Sequence, residues 1–211
     1  MATQPGLGSL ALSKHRVEAL ADGVFAIVMT LLVLELKVPE LPKNTPQPEL
    51  LHGIRALLPI FFSYFITFML AGSFWLLHHL SFHFIRHTTR GLCWINILFL
   101  LFVSLLPFST GMLGHFIQQR VAQYFYFGNQ LAIGIMLLLH WAFAKHNNLF
   151  VDDMIPAQAH ALSFRLTMLP AATGVALVTS IFKAELSFYA CLFTLLLFRL
   201  IGRSRARRAS E

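Results

Sequence analysis

Six long apolar runs dominate this chain and restrict it to folds whose helices lie in a lipid bilayer. A helix that crosses the hydrocarbon core needs about 20 mostly apolar residues, because each residue advances the helix by about 1.5 Å. Six segments approach that length and are predicted as spans: 17–37, 54–79, 92–115, 124–145, 162–182 and 186–201. Hydrophobic residues make up 57% of the chain and charged residues only 12%, which agrees with a membrane environment. The sequence therefore predicts an all-α integral membrane protein with six transmembrane helices.

Prolines and basic residues indicate how these spans are connected and oriented. Four prolines between residues 38 and 48 predict an extended loop after the first span. If the N-terminus is cytoplasmic, eleven of the 16 lysines and arginines lie on the cytoplasmic side. This bias predicts a protein of the cell membrane with both termini in the cytoplasm. We expect one six-helix transmembrane domain at residues 1–201 and a basic cytoplasmic tail at 202–211.

Five arginines in and just before that tail raise the question of its partner. They are Arg199, Arg203, Arg205, Arg207 and Arg208. Because they follow an apolar run directly, we interpret them as contacts to anionic membrane lipid. No aromatic residues are interleaved with them, so we expect no nucleic-acid partner.

The first span differs from the other five in its length and in its acidic residues. Its uninterrupted apolar core, 23–34, has only twelve residues, and Glu18, Asp22 and Glu35 flank it. Such a short segment is typical of a helix enclosed by protein rather than by lipid. At about 100° per residue, one stripe of the helix carries Ile27, Thr30, Leu31 and Leu34, while Asp22 lies near the opposite side. A stripe of this kind is compatible with ordinary helix packing and with a conduction path.

The segment that begins with Arg16 and contains Asp22 resembles the start of the first span in the transmembrane protein 175 family, which comprises lysosomal and prokaryotic potassium channels. The family signature is Arg, three variable residues, then Phe-Ser-Asp, and here Leu20 and Ala21 replace Phe and Ser. Two further stretches are similar to the prokaryotic members. One begins at Trp75 and includes the neighbouring histidines of span two, and the other begins at residue 94 and includes Asn96.

The resemblance implies a homotetramer of single-repeat subunits in which span one lines a potassium pore. Its narrow part would be built from Ile27, Thr30, Leu31 and Leu34. Aliphatic rings cannot replace the hydration shell of an ion, so Ile27 would act as a gate that wets and dewets. Thr30 offers the only side-chain oxygen of the stripe and would tune the selectivity for potassium over sodium. No cofactor is expected, and potassium is the permeant species.

The same resemblance implies a structural lock at the cytoplasmic end of span one. It assigns Arg16 and Asp22 to this lock, with His79, Trp75 and Asn96 as their partners. Arg16 and Asp22 are six residues apart and do not share a helical face, so we expect each to reach a separate partner.

The ten histidines of the chain allow two other interpretations. His79, His83 and His87 recur every four residues and could present metal ligands on one helical face, although no cysteine or carboxylate completes the set. A haem enzyme would need two axial histidines at matched depth, and His140 lies toward the cytoplasmic end, away from His78 or His79. We therefore expect neither a metal site nor a haem.

A small secondary transporter of a cation or small solute is the remaining alternative. Transporters carry ionisable groups or broken helices near the membrane midplane. The middles of spans three, five and six contain no acid. No catalytic set of residues occurs in the short loops, so we expect no enzyme, and a channel is what the family resemblance implies.

Overall fold

The protein is a bundle of helices that alternate in direction. The computed structural model describes residues 13–208, with side chains described through residue 201. The helices are α1 (Lys14–Leu31), α2 (Gln47–Ala56), α3 (Leu58–His83), α4 (Arg90–Ser104), α5 (Leu106–His115), α6 (Arg120–His146), α7 (Pro156–Phe182) and α8 (Ser187–Arg208). A short 3-10 helix, Leu32–Glu35, extends α1.

Six of these segments are long and apolar enough to cross a membrane. They are Lys14–Glu35, Leu58–His83, Arg90–His115, Arg120–His146, Pro156–Phe182 and Ala184–Ile201. The predicted all-α fold with six spans is therefore confirmed, and the chain is a multi-pass membrane protein. The side chains of the predicted tail, residues 202–211, lie outside the described part of the chain.

Prolines begin helices in this fold as well as ending them. The predicted extended loop at 38–48 is too long, because Pro48 lies in the first turn of α2. Pro59 occupies the same position in α3, and Pro107 occupies it in α5, which follows a break at Leu105 within the third span. The first turn of a helix tolerates proline because its N–H groups have no partner within the helix.

Aromatic side chains fill the centre of the bundle. Phe25 of α1, Phe74 of α3 and Phe99 of α4 are fully buried and belong to one apolar cluster. The rings of Phe25 and Phe99 lie 5.8 Å apart between centroids. These contacts fix the side of α1 that faces its own subunit.

A hydroxyl network joins three helices within the apolar interior. Thr110 of α5 donates to the Thr67 hydroxyl of α3 at 3.1 Å, and Thr67 donates to the Tyr126 hydroxyl of α6 at 3.1 Å. All three side chains are buried. Inside a membrane protein such groups need partners from neighbouring helices, so the network sets the relative positions of α3, α5 and α6.

Helices α6 and α7 approach each other closely at one point. A Cβ atom built on Gly134 of α6 would lie 2.8 Å from Cβ of Pro170 in α7. Only glycine fits this position, because real Cβ contacts are almost never shorter than 3.0 Å.

Two loops are joined at the end of the bundle where α3 and α6 finish. Ile85 and Phe150 form an isolated antiparallel bridge, in which the Arg86 N–H donates to the Leu149 carbonyl at 2.8 Å. The Arg86 guanidinium also pairs with Asp152 at 3.1 Å. These bonds hold the α3–α4 loop against the α6–α7 loop.

Candidate functional site

Helix α1 has one face packed against its own subunit and one face without contacts in the single chain. The buried residues recur at helical spacing and are Val17, Ala21, Phe25, Val28 and Leu32. They pack against α3 and α4. This arrangement leaves the opposite side of the helix exposed along its whole length.

The four residues of the predicted stripe all lie on that exposed face. The exposed fractions are 60% for Ile27, 42% for Leu31 and 66% for Leu34, and Thr30 is also exposed. Large aliphatic side chains in such a continuous row require an apolar or closely packed neighbour. The stripe is therefore the surface of α1 available for lipid, another subunit or a pathway.

The exposed face extends beyond the predicted stripe toward the start of α1. Leu20 is 52% exposed, and a Cβ atom at Gly23 would meet nothing within 4 Å. Arg16 is exposed and lies one further turn back, within about 20° of Ile27 around the helix axis. Sequence reasoning missed these three positions, although the same helical spacing predicts them.

The Thr30 hydroxyl is bonded to the backbone of its own helix. It donates toward the carbonyl oxygens of Ala26 at 3.0 Å and Ile27 at 2.8 Å. Its proton is therefore satisfied within α1, and the lone pairs of the oxygen stay available on the exposed face. The hydroxyl can accept a hydrogen bond there or coordinate a cation.

Asp22 is held by α3 and not by Arg16. The indole N–H of Trp75 donates to Asp22 Oδ1 at 2.8 Å. The ring of His79 stacks on Trp75 with centroids 5.8 Å apart. The structure thus brings Asp22, Trp75 and His79 together, while Arg16 lies on the exposed face of α1, about 120° around the helix axis from Asp22.

Asn96 was expected as a partner of Arg16 or Asp22, but among the described contacts it bonds His78. Its side-chain oxygen lies 2.9 Å from Nε2 of His78, and both residues are buried. Adjacent residues of a helix point about 100° apart, so the neighbouring residue His79 faces α1 instead. The bond between Asn96 and His78 therefore joins the second and third spans.

The histidine arrangement corrects two alternatives. His140 is buried at the same depth as His78, with ring centroids 5.8 Å apart, so the expected separation in depth is wrong. Their direct edge-to-face contact leaves no room for a haem between the two rings. His79 and His83 both lie in α3, but His87 lies beyond the end of that helix, so the three histidines do not share one helical face. Within residues 13–201, no group of three His, Cys, Asp or Glu side chains could hold a metal ion.

Comparison with known proteins relates this geometry to a family. The family model described as endosomal/lysosomal potassium channel TMEM175 matches residues 16–107, which contain the exposed stripe and its supporting contacts. A potassium channel of Streptomyces collinus is 33% identical over 174 residues, covering 78% of this chain and 83% of the relative. The chain belongs to the TMEM175 family. The resemblance in the first half of the sequence is thereby confirmed.

Two other TMEM175 proteins extend the comparison. The crystal structure of a lysosomal potassium-selective channel TMEM175 homolog from Chamaesiphon minutus superposes with a TM-score of 0.76 at 30% identity. The match covers 90% of this chain and 97% of that one. The endosomal/lysosomal proton channel TMEM175 of Rattus norvegicus is 34% identical over 194 residues, covering 83% of this chain but 38% of the relative.

Proposed function

We propose that this TMEM175 protein is a passive potassium channel of the cell membrane, formed by four copies of the chain around a pore lined by α1. The observation that carries the proposal is the uninterrupted exposed stripe on α1, with Ile27, Thr30 and Leu34 at successive levels. The names of the bacterial relatives support potassium as the permeant ion.

The stripe fits a central axis better than a lipid-facing surface. The span Lys14–Glu35 is long enough to cross the bilayer, but its uninterrupted apolar part, 23–34, covers only about 18 Å at 1.5 Å per residue, so the acidic residues that flank this part fall within the hydrocarbon layer of about 30 Å. Asp22 also lies within the span, where a carboxylate facing lipid would be costly, and it instead bonds Trp75. Both features favour an α1 that is surrounded by protein.

Several copies are needed because one helix cannot enclose a pathway. A groove of about 510 Å³ runs between α1 and α3 and includes Phe25, Met69 and Leu76. This apolar groove supports the assembly, because it gives a neighbouring subunit a surface beside the stripe. In a fourfold arrangement, Ile27, Thr30, Leu31 and Leu34 would each form a ring.

The chemistry of these rings supports cation passage through a narrow apolar constriction. Aliphatic rings exclude water unless the pore widens, so Ile27 sets the gate. At Thr30 the oxygen lone pairs are free, because the proton is bonded within α1. Four such oxygens would supply part of a coordination shell for potassium. No cofactor enters this mechanism.

Orientation follows from the number of crossings and from the basic residues. Six spans bring the two ends of the helical domain to the same side. The excess of lysine and arginine on that side supports a cytoplasmic location for both termini.

The test is a flux assay on purified protein in liposomes under a potassium gradient, repeated with sodium. Ile27→Asn should raise basal potassium flux, because an amide in the constriction favours water. The matched control is Ile135→Asn, which changes an isoleucine of α6 that is 41% exposed. Unchanged flux in Ile27→Asn, or an equal rise in the control, would remove Ile27 from the pore.

The second variant addresses selectivity. Thr30→Val removes the oxygen and keeps the shape, so the ratio of potassium to sodium flux should fall. Thr179→Val is the control, since Thr179 of α7 also bonds its own helix, donating to the Val175 carbonyl at 2.8 Å. A ratio that falls equally in both variants would rule out a role for Thr30 in selectivity.

Two readouts separate the alternatives. The rat relative is named a proton channel, so a pH-sensitive dye inside the same liposomes measures any proton flux. Unitary currents in planar bilayers distinguish a channel from the secondary transporter, which would show coupled flux and no unitary steps.

A further inference from the structure

A second groove lies on the outside of the bundle, between α3, α7 and α8. It has a volume of about 590 Å³, and its α3 wall extends from Phe65 to Leu80. Fifteen residues of helix correspond to about 22 Å, which exceeds the depth of about 15 Å of one leaflet. Met168 of α7 and Leu195 of α8 complete the apolar walls.

Among the residues that the structure describes, Arg165 is the only charged one that lines this groove. It lies nine residues into α7, about 13 Å along the helix, and is therefore within a membrane-spanning segment. Its side chain is exposed and has no hydrogen-bond or ion-pair partner among the described residues. A charged side chain at membrane depth is costly unless it is paired, so an anionic group of a lipid is the expected partner of this arginine.

Arg199 of α8 lies on the same side of the helix pair. The rings of Phe164 and Phe198 stack between α7 and α8 with centroids 5.4 Å apart. Arg165 follows Phe164 in α7, and Arg199 follows Phe198 in α8, so each arginine is rotated by about 100° from a ring of the stacked pair. Because the two helices are antiparallel, these two rotations point to the same side of the helix pair. Arg199 therefore faces the side on which Arg165 lines the groove. Arg199 is exposed and lies one turn beyond Leu195, which lines the groove.

The two arginines are at one end of the groove. Helix α3 ends, α7 begins and α8 ends on the same side of the bundle, the side to which Leu80 is nearest. Long arginine side chains there can extend to the headgroup region while their stems stay in the apolar layer. The groove thus combines a long apolar wall with one arginine that lines it and a second on the neighbouring turn of α8, and both side chains can extend toward the headgroup region.

We propose that this groove binds one anionic glycerophospholipid, with an acyl chain along α3 and its phosphate between Arg165 and Arg199. The arginine fork matches phosphate oxygens in geometry as well as in charge. Basic pockets between transmembrane helices on one face of a bundle bind anionic headgroups in this way. The site lies outside the α1 stripe, so it does not depend on the pathway proposed above.

The test is native mass spectrometry of the full-length protein in nanodiscs that contain phosphatidylglycerol and phosphatidylcholine. Wild type should retain phosphatidylglycerol in preference. Arg165→Gln should lower the retained fraction roughly fivefold, and the double variant with Arg199→Gln roughly thirtyfold. Arg90→Gln is the charge-matched control, since Arg90 is an exposed residue at the start of α4 on the same side of the bundle.

A steric variant tests the groove separately from its charge. Met168→Trp fills part of the groove and keeps both arginines, so it should also reduce phosphatidylglycerol retention. The proposal is overturned if retention is the same in wild type and the double arginine variant, or if Arg90→Gln lowers it equally. It is also overturned if Met168→Trp alters the oligomeric state without releasing lipid, because a second copy of the chain would then occupy the groove.

Discussion

Replacing Gly134 by alanine should weaken the contact between α6 and α7. The new Cβ atom would lie 2.8, 3.0 and 3.1 Å from three carbon atoms of the Pro170 ring. Ordinary contacts of this kind are 3.4–4 Å long, so the helices must separate by several tenths of an ångström. The proline ring cannot rotate away, because it is closed onto the backbone of α7.

Two opposing contributions determine how much Gly134→Ala changes the free energy of unfolding. Overpacking of this kind costs about 1–3 kcal/mol. Alanine is also a better helix former than glycine, by about 1 kcal/mol. Gly128→Ala, in the same helix, has the second term alone, since a Cβ atom there would meet nothing within 4 Å. The difference between the two variants should therefore be about 1–3 kcal/mol in the free energy of unfolding.

Thermal unfolding in detergent, followed by size-exclusion chromatography, measures that difference. For a chain of this size about 1 kcal/mol corresponds to roughly 2–4 °C, so the Tm of Gly134→Ala should lie roughly 2–12 °C below that of Gly128→Ala. If Gly134→Ala is as stable as Gly128→Ala, the close approach of α6 to Pro170 does not limit packing, and the reasoning fails.

Two hydrogen bonds give further predictions for the same assay. Trp75→Phe removes the donor to Asp22 and should lower the free energy of unfolding by about 1 kcal/mol, since the pair is partly exposed. The control Trp94→Phe should be nearly neutral, because Trp94 is 66% exposed. Equal effects in the two variants would mean that the Asp22 bond contributes nothing. Tyr126→Phe removes the acceptor of the buried Thr67 hydroxyl and should cost about 1–2 kcal/mol. Wild-type stability in Tyr126→Phe would show that the hydroxyl network is not needed to hold α3 against α6.

Apolar run length was enough to predict the spans of this protein. The six predicted segments agree with the observed ones to within a few residues at most ends, because the length of a spanning helix is fixed by bilayer thickness. The helix α2 and the break at Leu105 were not predicted. A proline signals a helix start as readily as a helix end, and only the contacts of the surrounding helices decide between the two.

The exposed face of α1 was predictable from helical periodicity, whereas the partners of individual side chains on neighbouring helices were not. The stripe from Ile27 to Leu34 lies on one exposed face, as helical spacing indicates. The expected contact of Asn96 with Arg16 or Asp22 was wrong, because Asn96 bonds His78, whose side chain points about 100° away from that of His79 around the helix axis. The relative depth of residues on different spans was not predictable either. His140 was expected at a different depth from His78, but the two rings are in contact.

In the proposed pore, the hydrogen bonds of the Thr30 hydroxyl would also determine how it meets anions. Since its hydrogen is already committed to the Ala26 and Ile27 carbonyls, this side chain has none to offer outward. Chloride or bicarbonate at this level of α1 would find hydrogen-bond acceptors and no donor from Thr30. It would therefore lose hydrating water without gaining a hydrogen bond from this side chain. In the proposed tetramer, a ring of such oxygens would favour cations over anions although it carries no formal charge.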